Sequence, residues 1–494
     1  MSAGRNRLAP RVHPPLPKRR LSGWLAAALV VSVALAPFAP SAFATADAHQ
    51  ARQPKQQPRG ERAGTLTQLA GASGCILDRS APGAGCGTAR ALKGPGPFMG
   101  SRAIALSPDG KSVYVASSRS DAIAIFRRNR RSGELTQAKG AAGCIAAKGA
   151  GRCAVAIGLD GPNSVAVSPD GRNVYATSRA SNSISVFQRD QKTGALTQLP
   201  ASASCLAGVP VPVCAVGRAL VGPDVVVVSP KGENVYVGSF FGNAVAVFDR
   251  DPLSGALTQP GDSSGCIAEA ISGCALGVAL GAPEGMAISG DGSSVYVAGA
   301  LSNAVVTLAR DQATGTLTQA SDGSGCIVGG ALAGCTAGVE LSGANAVAFN
   351  PGGDVYVTSL FSNSVTAFTR SRSTGGLAQK QGTAGCLIWL RAAGCSFGRA
   401  LRAPEGLAIS PDGANVYVAA FASSAIDVLD RGKKAGKVKQ VPGRGGCLAP
   451  RSVPGCIHAR ALRGVSSLAL SPDGHFLYST SFGSDAVDIF RRSK

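Results

Sequence analysis

Seven polar positions recur along the chain at steps of 60 or 61 residues: Arg102, Asn163, Asp224, Glu284, Asn345, Glu405 and Ser466. Side chains repeated at one interval occupy equivalent places in a repeating architecture. If they surround a shared opening, Asp224, Glu284 and Glu405 could hold Ca2+ or Mg2+ through carboxylate oxygens, or divide acid and base roles. A solvated polar rim is the plainer reading. A second group is cationic. Arg399, Arg402, Arg460 and Arg463 lie with Arg79, Arg90, Lys93, Arg391, Arg444 and Arg451 in the loops entering three repeats that a closed ring makes neighbours. Loops entering two other repeats, about 260–286 and 320–346, carry Asp262, Glu269, Glu284, Asp322 and Glu340 and no Lys or Arg. A positive sector of this kind steers anions, so the expected partner is an anionic glycan, a carboxylate ligand or a protein. Trp389 and Phe397 stand among these arginines and suit either sugar stacking or packing within the loop.

Other chemistries find little support. Of four histidines, only His458 and His475 fall within the repeats. Gly261-Asp262-Ser263-Ser264-Gly265 matches the GxSxG nucleophile pattern, but it sits in a loop beside Cys266 rather than on a strand–turn–helix. Aromatic residues are 5% of the chain, too few for a base-stacking nucleic-acid surface. The 14 cysteines fall into pairs 8, 9 or 11 residues apart: Cys75 with Cys86, Cys144 with Cys153, Cys205 with Cys214, Cys266 with Cys274, Cys326 with Cys335, Cys386 with Cys395, and Cys447 with Cys456. No CxxC spacing suggests zinc. Local disulfides within each loop are expected, leaving no thiol for redox chemistry.

These residues need a frame. The tetrapeptide at Ser107 (SPDG) recurs at Ser168, Ser229 (SPKG), Ser289 (SGDG), Asn350 (NPGG), Ser410 and Ser471, each followed by a VY-type strand holding one of the seven tyrosines. Pro, Asp and Gly are turn formers at these places, so the turn aspartates are not read as catalysts. One repeat reads as Ser164–Ser168, Asn173–Ser178, Ile184–Gln188 and Ala195–Gln198, four short strands, the content of a propeller blade. About 16–20 residues remain in each repeat, all between the fourth strand and the next blade. The chain ends after a third strand, Ala486–Arg491, while an extra fourth strand, Gly64–Gln68, stands near the start. Placing it beside the last three closes the ring and removes the open edge. The fold class is therefore all-β: a seven-bladed β-propeller of four-stranded blades, over residues 64–494. The tyrosines are expected to pack between blades, with hydroxyls finding partners.

Residues 1–44 read as a secretory signal peptide: basic residues, an apolar run from Leu21 to Ala36, then Ala42-Phe43-Ala44. Residues 45–63 read as a disordered linker rich in Gln, Pro and Arg. Residues 1–63 hold ten Lys and Arg against two acids, leaving +13 of the chain's net +21 on the propeller. With the signal removed, no stretch has membrane-spanning length. A secreted or cell-surface monomer is expected, with no cofactor beyond a Ca2+ or Mg2+ at the channel mouth.

The motifs SPDGKSVYVAS (107–117), SPDGRNVYATS (168–178) and SPDGANVYVAA (410–420) resemble the YVTN-type repeat of seven-bladed lactonase-like propellers. The resemblance covers nearly all of residues 64–494, and the paired-Cys loops look like a secreted actinobacterial-type variant. It implies a top-face site at the channel mouth. Lactonase and muconate-cyclase members often carry Pro-His at the entry to the first strand; Pro162-Asn163 stands there in this chain. Two functions follow as expectations. The first is an extracellular binding or scaffold module using its Cys-loop face, with Asn163, Asp224, Glu284, Asn345, Glu405, Arg399, Arg402, Arg460 and Arg463 as ligand-binding residues. The alternative is a lactonase-like hydrolase or cyclase for a small anionic lactone or carboxylate, with Arg102, Glu284 and Glu405 at the mouth.

Overall fold

The computed structural model describes residues 62–494 apart from 82, 84, 97–101, 148–151, 391–393 and 433–435. The expected signal peptide and nearly all of the expected linker lie outside the described residues. Seven six-stranded sheets form the ring. In the second blade, Pro162–Val167, Asn173–Ser178 and Ser183–Arg189 run antiparallel from the channel outward. The expected fourth strand is split. Leu196–Gln198 pairs with the end of the third strand and Cys205–Ala207 with its start. A short fifth strand, Ala215–Val216, runs parallel to the second piece. Much of what the sequence presents as loop is thus sheet. These pieces are two or three residues long, too short for periodicity to reveal.

In the last blade, Leu66–Gln68 and Cys75–Asp78 both pair with the C-terminal strand Ala486–Arg492. All seven expected disulfides are formed. Cys75 is bonded to Cys86, Cys144 to Cys153, Cys205 to Cys214 and Cys266 to Cys274. Cys326 is bonded to Cys335, Cys386 to Cys395 and Cys447 to Cys456. The first cysteine of each pair opens the second piece of the split strand, and its partner closes the loop just before the fifth strand. The cysteine segments are therefore sheet edges tied to their own loops, where the sequence reading has the whole pair in loop. Closing loops of this size stabilises each blade rim by about 2–3 kcal/mol in the chain-entropy model. The core lies between blades. Val186, Phe248 and Val237 pack with Tyr175 in one such layer, and all seven tyrosines are fully buried.

Three polar clasps join each blade to its neighbour. At the SPDG-turn end, Arg189 of blade 2 donates Nε to the Tyr114 hydroxyl of blade 1 and a second nitrogen to Asp109 in the blade 1 turn, while Tyr114 donates to the Gly194 carbonyl. Arg128, Arg250, Arg310, Arg370 and Arg492 hold Tyr478, Tyr175, Tyr236, Tyr296 and Tyr417 alike. Where the turn lacks Asp, Arg310 keeps the contact to Asn234 that Arg250 and Arg492 also make to Asn173 and Asn415, and Arg431 takes Asp354. On the outer rim, the glutamine ending the first outer segment grips the preceding blade's backbone at both ends. Gln137 accepts from the Arg90 N–H and donates to the Arg90 carbonyl. At the opposite end, Asn182, held at φ 50°, accepts the Gly222 N–H of the next blade.

Tyr175→Phe leaves the Arg250 Nε and the Gly255 carbonyl without a partner. A destabilisation of about 1–3 kcal/mol is expected, read as a lower midpoint in denaturant with unchanged slope. An unchanged midpoint would refute the clasp's role.

Candidate functional site

Six of the seven recurring polar positions sit at a β-bulge opening the innermost strand. A bulge inserts one residue and re-aims its side chain. The outcome differs from a solvated rim. Asn163, Asp224, Glu284, Asn345, Glu405 and Ser466 are all buried, none more than 4% exposed. The neighbouring inner strands pack closely beside these positions. A Cβ at Gly285 would meet Asn345 backbone at 2.5 Å, and one at Gly406 would meet Ser466 backbone at 2.3 Å.

The buried ring is partly satisfied from within. Asp224 accepts from Asn163 Nδ2 at 2.5 Å and from Arg179 at 2.6 Å. Arg179 stacks 4.7 Å above Phe240. Asn345 accepts from Thr358, and Ser466 donates to the Gly96 carbonyl. Burial pushes Glu284 well above the ordinary glutamate range; Asp224 and Glu405 push the same way, and Arg179 opposes them. Burial also raises Asp224, against Arg179 and Asn163. Among the described residues no three His, Cys, Asp or Glu side chains group as a metal site. Sequence reasoning missed Arg179. Its signal was a lone Arg where the other repeats carry Ser, Phe, Ala or Leu.

Arg102 has a different place. It lines a central cavity of about 570 Å³ whose other walls come from the far halves of the inner strands. The cavity continues to Pro169, Pro230, Pro411 and Pro472 of the turns, which are exposed and mark its open end. The residue before each turn is apolar in every blade: Leu106, Val167, Val228, Ile288, Phe349, Ile409 and Leu470, all half-buried in the cavity wall. Burial alone pushes the Arg102 guanidinium down to about 10, so it stays cationic at neutral pH.

On the Cys-loop face the four arginines separate. Arg460 donates to the Gly85 and Gly71 carbonyls of the next blade, and Arg399 to that of Gly443; both act as inter-blade staples, as Arg218 does. Arg402 and Arg463 stay exposed and line a groove of about 710 Å³ with Trp389, Phe397, Val453 and Pro454. Arg402 lies 5.0 Å over the Trp389 ring, and Trp389 itself packs on the core between blades 5 and 6. Stacking and packing therefore coincide at this residue. His458 lies in a short rim strand and His475 follows the last turn. Among the buried acids that escaped sequence reasoning are Asp427 and Asp488, each in a third strand beside the outer Cys segment. Burial raises both well above the ordinary aspartate range.

Residues 94–147 and 152–216 match the family described as Lactonase, 7-bladed beta-propeller. A stretch of 112 residues is 32% identical to the 6-phosphogluconolactonase of Bacillus subtilis (strain 168), covering 23% of this chain. The chain thus spans about a quarter (27%) of the length of that curated relative. Solved structures with a similar shape include a putative 6-phosphogluconolactonase from Bacteroides uniformis, with TM-score 0.49 and 19% identity over 68% of this chain and 82% of that one. The periplasmic gluconolactonase of Pseudomonas aeruginosa gives TM-score 0.45 and 19% identity over 76% and 93%.

A buried acid with a raised value contributes stability that is full below its ordinary value and is lost as pH rises through the shifted one. Glu284→Gln should therefore lose less thermal stability than the wild type between pH 4.5 and pH 8. Parallel losses in the two proteins would count against the buried-acid assignment.

Proposed function

We propose that this lactonase-like seven-bladed propeller is an exported binding module for an anionic carbohydrate, held in the Cys-loop-face groove between Trp389, Arg402 and Arg463. The observation that carries the reading is the Arg402–Trp389 stack. Stacking pins a long side chain before the ligand arrives, so less rotamer freedom is lost on binding. Apolar walls from Phe397, Val453 and Pro454 suit the C–H faces of a sugar ring. Arg402 and Arg463 supply donors for its carboxylate or phosphate. Seven disulfides and no free cysteine among the described residues support an oxidising compartment. Together with the expected signal peptide, they favour the cell exterior.

The match to a 6-phosphogluconolactonase supports a second reading: hydrolysis of an anionic sugar lactone at the channel mouth. Against it stand the burial of Glu284 and Glu405 and the placement of His458 in a rim strand and of His475 after the last turn, outside the ring positions.

Calorimetric titration with oligogalacturonate separates the two. Arg402→Ala should weaken binding by about tenfold or more, the loss of one charge-assisted hydrogen bond and its stacking, while Glu284→Gln should leave it unchanged. Turnover of 6-phosphogluconolactone by the wild type that disappears in Glu284→Gln would replace the binding reading with the hydrolytic one.

A further inference from the structure

The central cavity combines features the proposed groove does not use. Its walls are apolar in every blade, and it opens on the SPDG-turn face, the end remote from the buried acid ring. The one charged residue among its lining is Arg102. Among the described residues, no carboxylate or carbonyl accepts a hydrogen bond from the Arg102 guanidinium, and its own backbone carbonyl is tied to the Val165 N–H. Asp224 is instead engaged by Arg179 and Asn163. The cation is therefore not neutralised by the acids of the mouth.

A half-buried guanidinium at the inner end of an apolar shaft is costly unless an anion meets it. The length of wall between Arg102 and the turn prolines is four or five strand residues, about 13–17 Å at the rise of a β-strand. The volume of about 570 Å³ lies in the range of small-molecule sites. A small hydrophilic anion would satisfy Arg102 and leave the wall wet. A neutral hydrocarbon would cover the wall and leave Arg102 alone. We propose that the shaft binds an aliphatic carboxylate of medium chain length, its head accepting hydrogen bonds from Arg102 and its tail lying against Val167, Ile288, Phe349 and Ile409 toward the open end. Burial of the tail supplies affinity in proportion to the methylenes covered, and the guanidinium fixes the direction of entry.

The test uses the full chain and compares dodecanoate, dodecanol and acetate by calorimetry below micelle-forming concentrations. Dodecanoate should bind one per chain and at least about tenfold more tightly than dodecanol, the difference expected for one charge-assisted contact. Acetate should not bind measurably. In Arg102→Met the preference for dodecanoate over dodecanol should vanish, and Arg102→Lys should restore part of it. Arg402→Ala should leave dodecanoate binding unchanged, which separates this site from the carbohydrate groove. Equal affinity for dodecanoate and dodecanol in the wild type would overturn the proposal without any variant. So would several dodecanoates per chain, or dodecanoate binding indifferent to Arg102→Met.

Discussion

The ring is held by an arginine that reaches backward. At the end of nearly every third strand, a buried guanidinium binds a tyrosine hydroxyl on the preceding blade and, in most blades, that blade's turn carboxylate. Aliphatic packing between blades supplies area without direction, whereas this clasp has a register. It allows one rotation of each blade against the next, and through that rotation it sets how closely the inner strands converge. The glutamine clasp on the rim and the Asn or Asp clasp at the other end repeat the constraint at two more heights.

The architecture was legible because each repeat restates it. Turn tetrapeptides, tyrosines and cysteine pairs at one spacing specified seven blades and seven local disulfides. The clasp arginines kept the same period but hid in strands otherwise read for their apolar residues. The turn aspartates were read correctly as turn formers: Asp170 accepts from Ser168 and from the Arg172 N–H. Their second partner, on the next blade, needed three-dimensional register to appear. The split outer strand escaped for a simpler reason, since Cys205–Ala207 and Ala215–Val216 are too short to show alternation.

The site was harder to read than the frame. Seven polar residues at one interval do form a ring, but whether a ring is a rim or a plug depends on how closely inner strands pack. That distance is set in part by glycines such as Gly285 and Gly406, whose missing side chains let the next strand in. The charge count says nothing of how each arginine is engaged. Arg460 donates to neighbouring carbonyls, and Arg399, which also lines the groove, gives one donor to the Gly443 carbonyl. Of the four arginines singled out on that face, Arg402 and Arg463 are the exposed pair beside an aromatic wall.

The composite last blade is a seam between distant parts of the sequence. Its outer strands come from residues 66–89 and its inner three from residues 465–492. Cys75 and Cys86, with a sequence separation of only 11, can pair locally once the chain reaches an oxidising compartment. The sheet partner of this early segment is Ala486–Arg492 at the far end of the ring's sequence. Tyr417, gripped by Arg492 and donating to the Gly64 carbonyl, is where the first and last parts of the ring meet. Six blades each come from one stretch of chain, whereas the seventh needs residues 66–89 and 465–492 together, so the circle is closed at this seam.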